Sequence, residues 1–289
     1  MIAITIGDPA YPLRLCDLRL APDPLWVAGD PAVLALPSVA IVGTRRMSPY
    51  GERIAAELSG AFAAAGIVVV SGLAQGIDTS AHRAALESGG RSVAVLGEGL
   101  TSHAAAVHGR RRVLAARLQA SGALVSQYAP ELPPQGWMYA KRNAVIAALA
   151  GAVVIVEAPF GSGALITAAE ARSLGRPLYA VPGPVGARGS EGTNGLIANG
   201  LATALVDASI VIVRLGSAPA ASMTVAADPV RELLAGGPAD LDELARRLGG
   251  DPAAVRSQLV AQLLDGRIRE TGDGRYASVA RPVAGPGGE

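Results

Sequence analysis

The strongest constraint on this chain is a recurring unit: a short, almost wholly apolar run that ends in a turn and leads into a helix. Val39-Ala40-Ile41-Val42 runs into Gly43-Thr44-Arg45-Arg46, and Val68-Val69-Val70-Ser71 into Gly72-Leu73-Ala74-Gln75-Gly76. Ser92-Val93-Ala94-Val95-Leu96 is followed by Gly97-Glu98-Gly99, Ala152-Val153-Val154-Ile155-Val156 by Gly161-Ser162-Gly163, and Leu178-Tyr179-Ala180-Val181 by Pro182-Gly183. Ala123-Leu124-Val125-Ser126 reads as a further strand. Helices are expected over 49–65, from 78 or 79 through 86, and over 110–120, 143–149 and 165–174. Strands apolar on both faces, alternating with segments of helical period, predict an α/β fold: a parallel sheet with helices on both faces. In such sheets ligands bind beyond the carboxyl ends of the strands. Here those ends carry glycine turns with arginines beside them. A glycine loop that opens a helix presents backbone N–H groups and a positive dipole end to an anion. The 71–76 loop lacks the G-x-G-x-x-G spacing of a dinucleotide fingerprint, so no cofactor is implied.

The flanking regions divide the chain. Residues 1–37, punctuated by Tyr11-Pro12, Ala21-Pro22 and Asp23-Pro24, are expected to form an irregular lead-in packed on the main domain, with Leu25-Trp26-Val27 as a short edge strand. Residues 38–216 form the main domain, and 217–228, rich in Ala, Pro and Ser, a linker. Residues 229–279 read as three helices and a hairpin around Gly272-Asp273-Gly274, the pattern of a winged helix, with Asp240 and Asp251 as helix caps. Residues 280–289 are expected to be a disordered tail. With 289 residues and half of them hydrophobic, both units can bury a core. No uncharged apolar run is long enough to span a membrane, and Met1–Gly7 lacks a secretory pattern, so a cytoplasmic protein is expected. The single cysteine, Cys16, excludes an internal disulfide. A net charge of +1 provides no global attraction to a polyanion, so any nucleic-acid site has to be a local patch.

Several residues invite a catalytic reading. Ser71, Asp78 and His82 contain the components of a triad. Asp78 and His82 also stand four apart at a helix start, where the aspartate would cap and the pair would simply stabilise the helix; this second reading is favoured. Gly161-Ser162-Gly163 lacks the spacers of a nucleophile elbow, so Ser162 and Gly163 are assigned to close packing or phosphate contact. His103 and His108 have no acidic or thiol partners at ligand spacing, and no metal site is expected. Glu157, ending a strand, is expected to orient a loop rather than to act as a base. The remaining signal is cationic. Arg45-Arg46 and Lys141-Arg142 both fall on the expected ligand rim and would form a track for a phosphodiester backbone, with Trp137 and Tyr139 as stacking platforms or loop packing. In the last unit Arg246, Arg247, Arg256, Arg267, Arg269 and Arg275 are offset by Glu232, Asp242, Glu243, Asp265 and Glu270, leaving duplex binding and protein binding both open.

Taken in order, Ala40–Arg45, Ser71–His82, Lys141-Arg142-Asn143, Val156-Glu157-Ala158 with Ser162–Ala168, Ala180-Val181-Pro182-Gly183 and Ser190–Ile197 resemble the signature series of the DprA/Smf DNA-processing family. The resemblance covers roughly residues 11–207. It implies an extended Rossmann-like sheet with a C-terminal winged helix that binds single-stranded DNA, forms a homodimer and loads the RecA recombinase during natural transformation, without enzymatic activity. It implies a nucleic-acid site at Gly43, Thr44, Arg45, Arg46, Ser71, Gly72, Gln75, Gly76, Lys141, Arg142, Asn143, Ser162 and Gly163. Some positions depart from the family pattern. Gln75 stands where many members carry a basic residue, Thr101-Ser102-His103-Ala104-Ala105 replaces a Tyr-Pro and Asn/His pattern, and Gln127 replaces a usual glutamate. The N-terminal helical domain of many members is expected to be absent or truncated.

Two other readings belong to different classes. A Rossmann-like nucleotide hydrolase would need a Pro-Gly-Gly-x-Gly-Thr loop, which Pro182-Gly183-Pro184 does not supply. A winged-helix regulator with a ligand-sensing domain would show specific duplex footprints.

Overall fold

The structure, a computed structural model, describes residues 1–216, 230, 233–234, 236–249, 251–264, 268–271 and 274–278. It contains two compact units, Met1–Ala218 and Pro219–Glu289. The expected linker at 217–228, the tail at 280–289, and Glu232, Asp265, Arg267, Gly272 and Asp273 lie outside the described residues.

The first unit is built on a sheet in the order β1-β2-β6-β5-β4-β3-β7-β8-β9. Its strands are β1 (Ile2–Ile4), β2 (Leu25–Gly29), β3 (Ser38–Val42), β4 (Val68–Ser71), β5 (Ser92–Val95), β6 (Ala123–Ser126), β7 (Ala152–Ile155), β8 (Leu178–Ala180) and β9 (Thr203–Ala204). From β6 to β9 every pairing is parallel. The intervening helices are α1 (Pro49–Ala64), α2 (Ile77–Glu87), α3 (Leu100–Ala106), α4 (Gly109–Ser121), α5 (Gly136–Leu149), α6 (Gly163–Ser173), α7 (Glu191–Ala198) and α8 (Ser209–Leu215). Successive strand side chains point to opposite faces. Val42, Val70, Val95 and Ile155 therefore pack with α5 and α6 on one face. Ile41, Val69 and Val154 pack with α1, α2 and α8 on the other. The apolar runs of the sequence are read here twice over, once on each side. Ser48 caps α1, its Oγ accepting from Gly51 N–H at 3.1 Å, with Pro49 in the first turn.

The structure differs from the expected layout in the following places. The sheet is mixed: β1 and β2 join it antiparallel, so Leu25-Trp26-Val27 lies between β1 and β6 and is not an edge. The outer strand is the three-residue Ile2–Ile4, too short to show a period in the sequence. Beyond the 178–181 run a further short strand, β9, pairs beside β8. The glycine-rich stretch after Pro182 contains α7, whose glycines are tolerated because Gly192 sits against the Ala158 carbonyl, where a Cβ would approach to 2.5 Å. Finally, α5 starts at Gly136, seven residues before the expected start. Exposed Trp137, Ala140 and Lys141 hide a buried stripe of Met138, Arg142, Val145, Ile146 and Leu149.

In the second unit, helix Leu241–Leu248 is capped by Asp240, whose carboxylate accepts from Glu243 N–H at 2.8 Å. Helix Pro252–Leu264 and the antiparallel pair Ile268–Glu270 with Tyr276–Ser278 follow. Leu234, Leu244, Val255, Leu259 and Ile268 form its core. Among the described residues no helix is long and apolar enough to cross a membrane.

Candidate nucleic-acid interface

The chain runs from β3 to β4, β5 and β6 on one side and returns to place β7 on the other side of β3. Beyond the carboxyl ends of β3 and β7, where the winding reverses, such sheets open a crevice. The loops bordering it are pinned together. Thr44 N–H donates to Glu157 O at 2.7 Å, and Ile77 N–H to Thr44 O at 3.3 Å. A Cβ on Gly43 would come within 2.5 Å of Ile77 Cγ1. Gly76 has φ +90°, and a Cβ there would strike the Thr44 carbonyl, so only glycine fits both the turn and the approach. Glu157 acts as expected: its carboxylate accepts from Ser48 N–H at 2.9 Å and Ser48 Oγ at 2.6 Å, fixing the loop that carries Arg45 and Arg46.

Beneath this rim lies a buried polar network. Arg142 is only 4 % exposed, and its Nη1 donates to Gly72 O at 2.6 Å and to Val95 O. Asp78 accepts from Gly72 N–H at 3.1 Å and Ala74 N–H at 3.4 Å. Gly72 thus gives its N–H to the buried carboxylate and its C=O to the buried guanidinium, and a Cβ on it would meet that guanidinium. Burial pushes the Asp78 carboxyl up, and the Arg142 charge opposes that shift. Burial lowers Arg142, and Asp78 opposes that. Each charge is tolerable because the other is there. Inside the same loop Leu73 adopts φ +56°, a left-handed conformation unusual for a bulky residue.

These contacts revise several assignments. Arg142 is not a free cation on the rim; it holds the 72–76 loop. Asp78 reaches back to that loop, and Gly76 occupies the cap position of α2 without a side-chain cap. His82 pairs through Nδ1 with Ser92 Oγ at 2.7 Å, not with Asp78. Ser71 Oγ donates to Ile41 O at 2.6 Å. The would-be triad is directed at three different partners. Ser162 caps α6, accepting from Ala164 N–H at 3.3 Å, and Gly163 O accepts from Asn143 Nδ2 at 3.1 Å. His103 does have an acidic partner, Glu98, at 2.8 Å, contrary to expectation. No cluster of three metal-ligating side chains occurs among the described residues.

What remains exposed is cationic and aromatic. Arg45, Arg46 and Gln75 face solvent. The Arg45 guanidinium carbon lies 5.7 Å from the centroid of the half-buried Tyr139 ring. Lys141 Nζ lies 4.9 Å from the centroid of Trp137, which packs edge-on against Tyr128. A cavity of about 300 Å³ is lined by Gly43, Arg45, Tyr139, Asn143, Ser162 and Gly163. A second, of about 240 Å³, shares Arg45, Tyr139 and Arg142 and adds Gln75, Glu98 and Arg111. The structure therefore brings together every candidate except Arg46 and Lys141 around one of these cavities or in the hydrogen-bonded loops that shape them. Those two lie beside it, adjacent in sequence to cavity-lining residues. Sequence reasoning missed Arg111, whose Nη2 donates to Leu73 O at 3.1 Å, and Phe160, 72 % exposed just before Ser162. The Arg110-Arg111-Arg112 run and an aromatic next to a glycine turn were the available signals.

The same rim carries the comparison with known proteins. Residues 2–216 match the family described as DNA recombination-mediator protein A. The chain belongs to this family. Residues 217–274 match the DprA winged helix domain. Protein Smf of Escherichia coli is 42 % identical over 192 residues, covering 66 % of this chain and 50 % of that protein. The chain thus spans half the length of that relative. The crystal structure of DNA processing protein A (DprA) from Streptococcus pneumoniae aligns with a TM-score of 0.67 at 33 % identity, covering 73 % of each chain. A solved structure of Helicobacter pylori DNA processing protein A, described for its single-stranded DNA binding mode, aligns with a TM-score of 0.64 at 28 % identity. It covers 71 % of this chain and 92 % of the other. The Rossmann-like sheet and winged helix are those of the family.

Proposed function

We propose that this chain binds single-stranded DNA along the carboxyl rim of its sheet. In this reading it acts in the cytoplasm as a homodimeric recombination mediator, protecting an incoming strand and loading RecA onto it during natural transformation, with no catalytic step of its own. The observation that carries the reading is the pairing of exposed cations with aromatic rings beside the β3–β7 crevice: Arg45 with the half-buried Tyr139, and Lys141 with the exposed Trp137. Cations follow a phosphodiester backbone, and aromatic faces stack on unpaired bases of any sequence. Family membership and the strand-binding relative from Helicobacter pylori point the same way. The proposed contacts to phosphate are Arg45, Arg46 and Lys141, with Gln75, Asn143, Ser162 and the Gly43 backbone adding neutral hydrogen bonds, and Thr44, pinned to Glu157 and Ile77, holding the loop in place. Ser71, Gly72, Gly76, Gly163 and Arg142 shape the site from beneath. The groups a nucleotide hydrolase would recruit, Ser71, Asp78, His82 and Glu157, are buried and hydrogen-bonded within the fold.

Fluorescence anisotropy with labelled oligo-dT and with a duplex of equal length tests the reading. The single strand is expected to bind more tightly, and Arg45→Glu to weaken it by at least tenfold. Unchanged binding in Arg45→Glu would place the strand elsewhere, and robust nucleotide-monophosphate cleavage would favour the hydrolase.

A further inference from the structure

We propose that the groove between α3 and α4 docks an acidic segment of a partner protein, which sets apolar side chains into the groove and carboxylates against Arg112 and the start of α4. This surface is separate from the strand-binding rim and goes beyond the function proposed above.

The groove has a volume of about 390 Å³. Leu100 and Ala104 of α3, Val107 just after it, Ala115 and Ala116 of α4 and Leu124 of β6 give it an apolar lining. Arg112, Ala115, Ala116 and Gln119 recur at the spacing of one helix face, so a single side of α4 borders it. It has only His103 in common with the 240 Å³ cavity of the rim and nothing in common with the 300 Å³ one. An apolar concavity of this size is suited to burying the side chains of a bound partner.

The charge beside the groove has one sign. No acidic residue occurs between Glu98 and Glu131, whereas Arg110, Arg111, Arg112 and Arg117 all fall in α4 and are exposed. Arg111 donates to Leu73 O; Arg110, Arg112 and Arg117 make no hydrogen bond or ion pair among the described residues. Three of these arginines crowd the first turns of α4, the end where the helix dipole favours negative charge. That end has no acidic residue in its first turn and no capping side chain. The fold thus leaves the positive excess uncompensated, and carboxylates of a partner relieve it.

The lining decides between a protein and a nucleic acid. It contains no Phe, Tyr or Trp on which a base could stack. The rim differs in this respect, since there Arg45 and Lys141 stand over aromatic rings. Aliphatic walls beside unpartnered arginines match a peptide that is apolar and acidic at once. Thr101-Ser102-His103-Ala104-Ala105, which departs from the family pattern, contributes to this groove, so the surface belongs to this chain's own residues.

Anisotropy titrations on the full chain test the proposal with a labelled synthetic peptide in which leucine and phenylalanine precede a run of aspartates. Two control peptides replace the aspartates by asparagine, or the apolar pair by alanine. The parent peptide is expected to bind, and each control about tenfold more weakly. Arg112→Glu reverses the charge at the groove, and Ala116→Phe fills it without changing charge. Each is expected to weaken the parent peptide about tenfold while leaving oligo-dT affinity within about twofold. Thermal melts check folding: Arg112→Glu should not lower Tm, because a carboxylate suits the start of a helix. No binding of the parent peptide, equal binding of either control, or undiminished binding in either folded variant would overturn the inference. So would a loss of oligo-dT binding in Arg112→Glu as large as in Arg45→Glu, which would assign these cations to the path of the strand.

Discussion

At the residue scale, the most instructive pair is Lys141 and Arg142. Neighbours in sequence are about 100° apart around a helix, so one points to solvent and the other into the protein. They consequently test differently. Arg142→Ala leaves the Asp78 carboxylate buried without its counter-charge and frees the Gly72 and Val95 carbonyls. It should cost roughly 3–5 kcal/mol in urea unfolding. Lys141→Ala should change stability by less than about 0.5 kcal/mol and lower oligo-dT affinity. His82 provides a pH signature. Burial, with the Arg142 charge adding to it, holds its imidazole down at about 3, against an unfolded value near 6.5. Between those values the unfolded chain binds the extra proton, so stability falls as pH drops from about 6.5 towards 3, by up to about 1.4 kcal/mol per pH unit. Asp78, raised by burial, titrates with the opposite sign, so the comparison has to be with a variant. The stability difference between the wild-type protein and His82→Leu should shrink as pH falls through that window. A difference independent of pH would mean that the ring is not held neutral.

At the element scale, α5 positions more of the site than any other helix. Its buried stripe anchors it across β3, β4 and β5, while Tyr139 lines the cavities and Trp137 and Lys141 are exposed beside them. Trp137→Ala should weaken single-strand binding by about 1–3 kcal/mol while leaving the far-UV circular dichroism unchanged. No loss would mean that Trp137 only packs against Tyr128. Much of this level was legible in the sequence. The β-branched runs and glycine turns gave the parallel strands and placed the loops on one rim, and Asp240 was recognisable as a cap. The buried polar network was not legible, because nothing in Lys141-Arg142 says which residue turns inward until the helix start is known. That start was hidden by exposed aromatics and by a glycine at the first helical position. β1 was missed because a strand of three residues with one buried side chain has no period to read. The helix α7 was missed because its glycines, needed for close packing on Ala158, lower its intrinsic propensity.

At the scale of the whole molecule, the central claim is electrostatic and local: a chain of net charge +1 attracts a polyanion through a few cations on one rim. For single strands the slope of log affinity against log salt is about −0.7 per phosphate contact. The decisive measurement is the salt dependence of oligo-dT binding by the wild-type protein and by the double variant Arg45→Gln, Lys141→Gln. The expected result is a lower affinity at every salt concentration and a slope shallower by about 1.4, the loss of two contacts. An unchanged slope in a folded double variant would contradict the account.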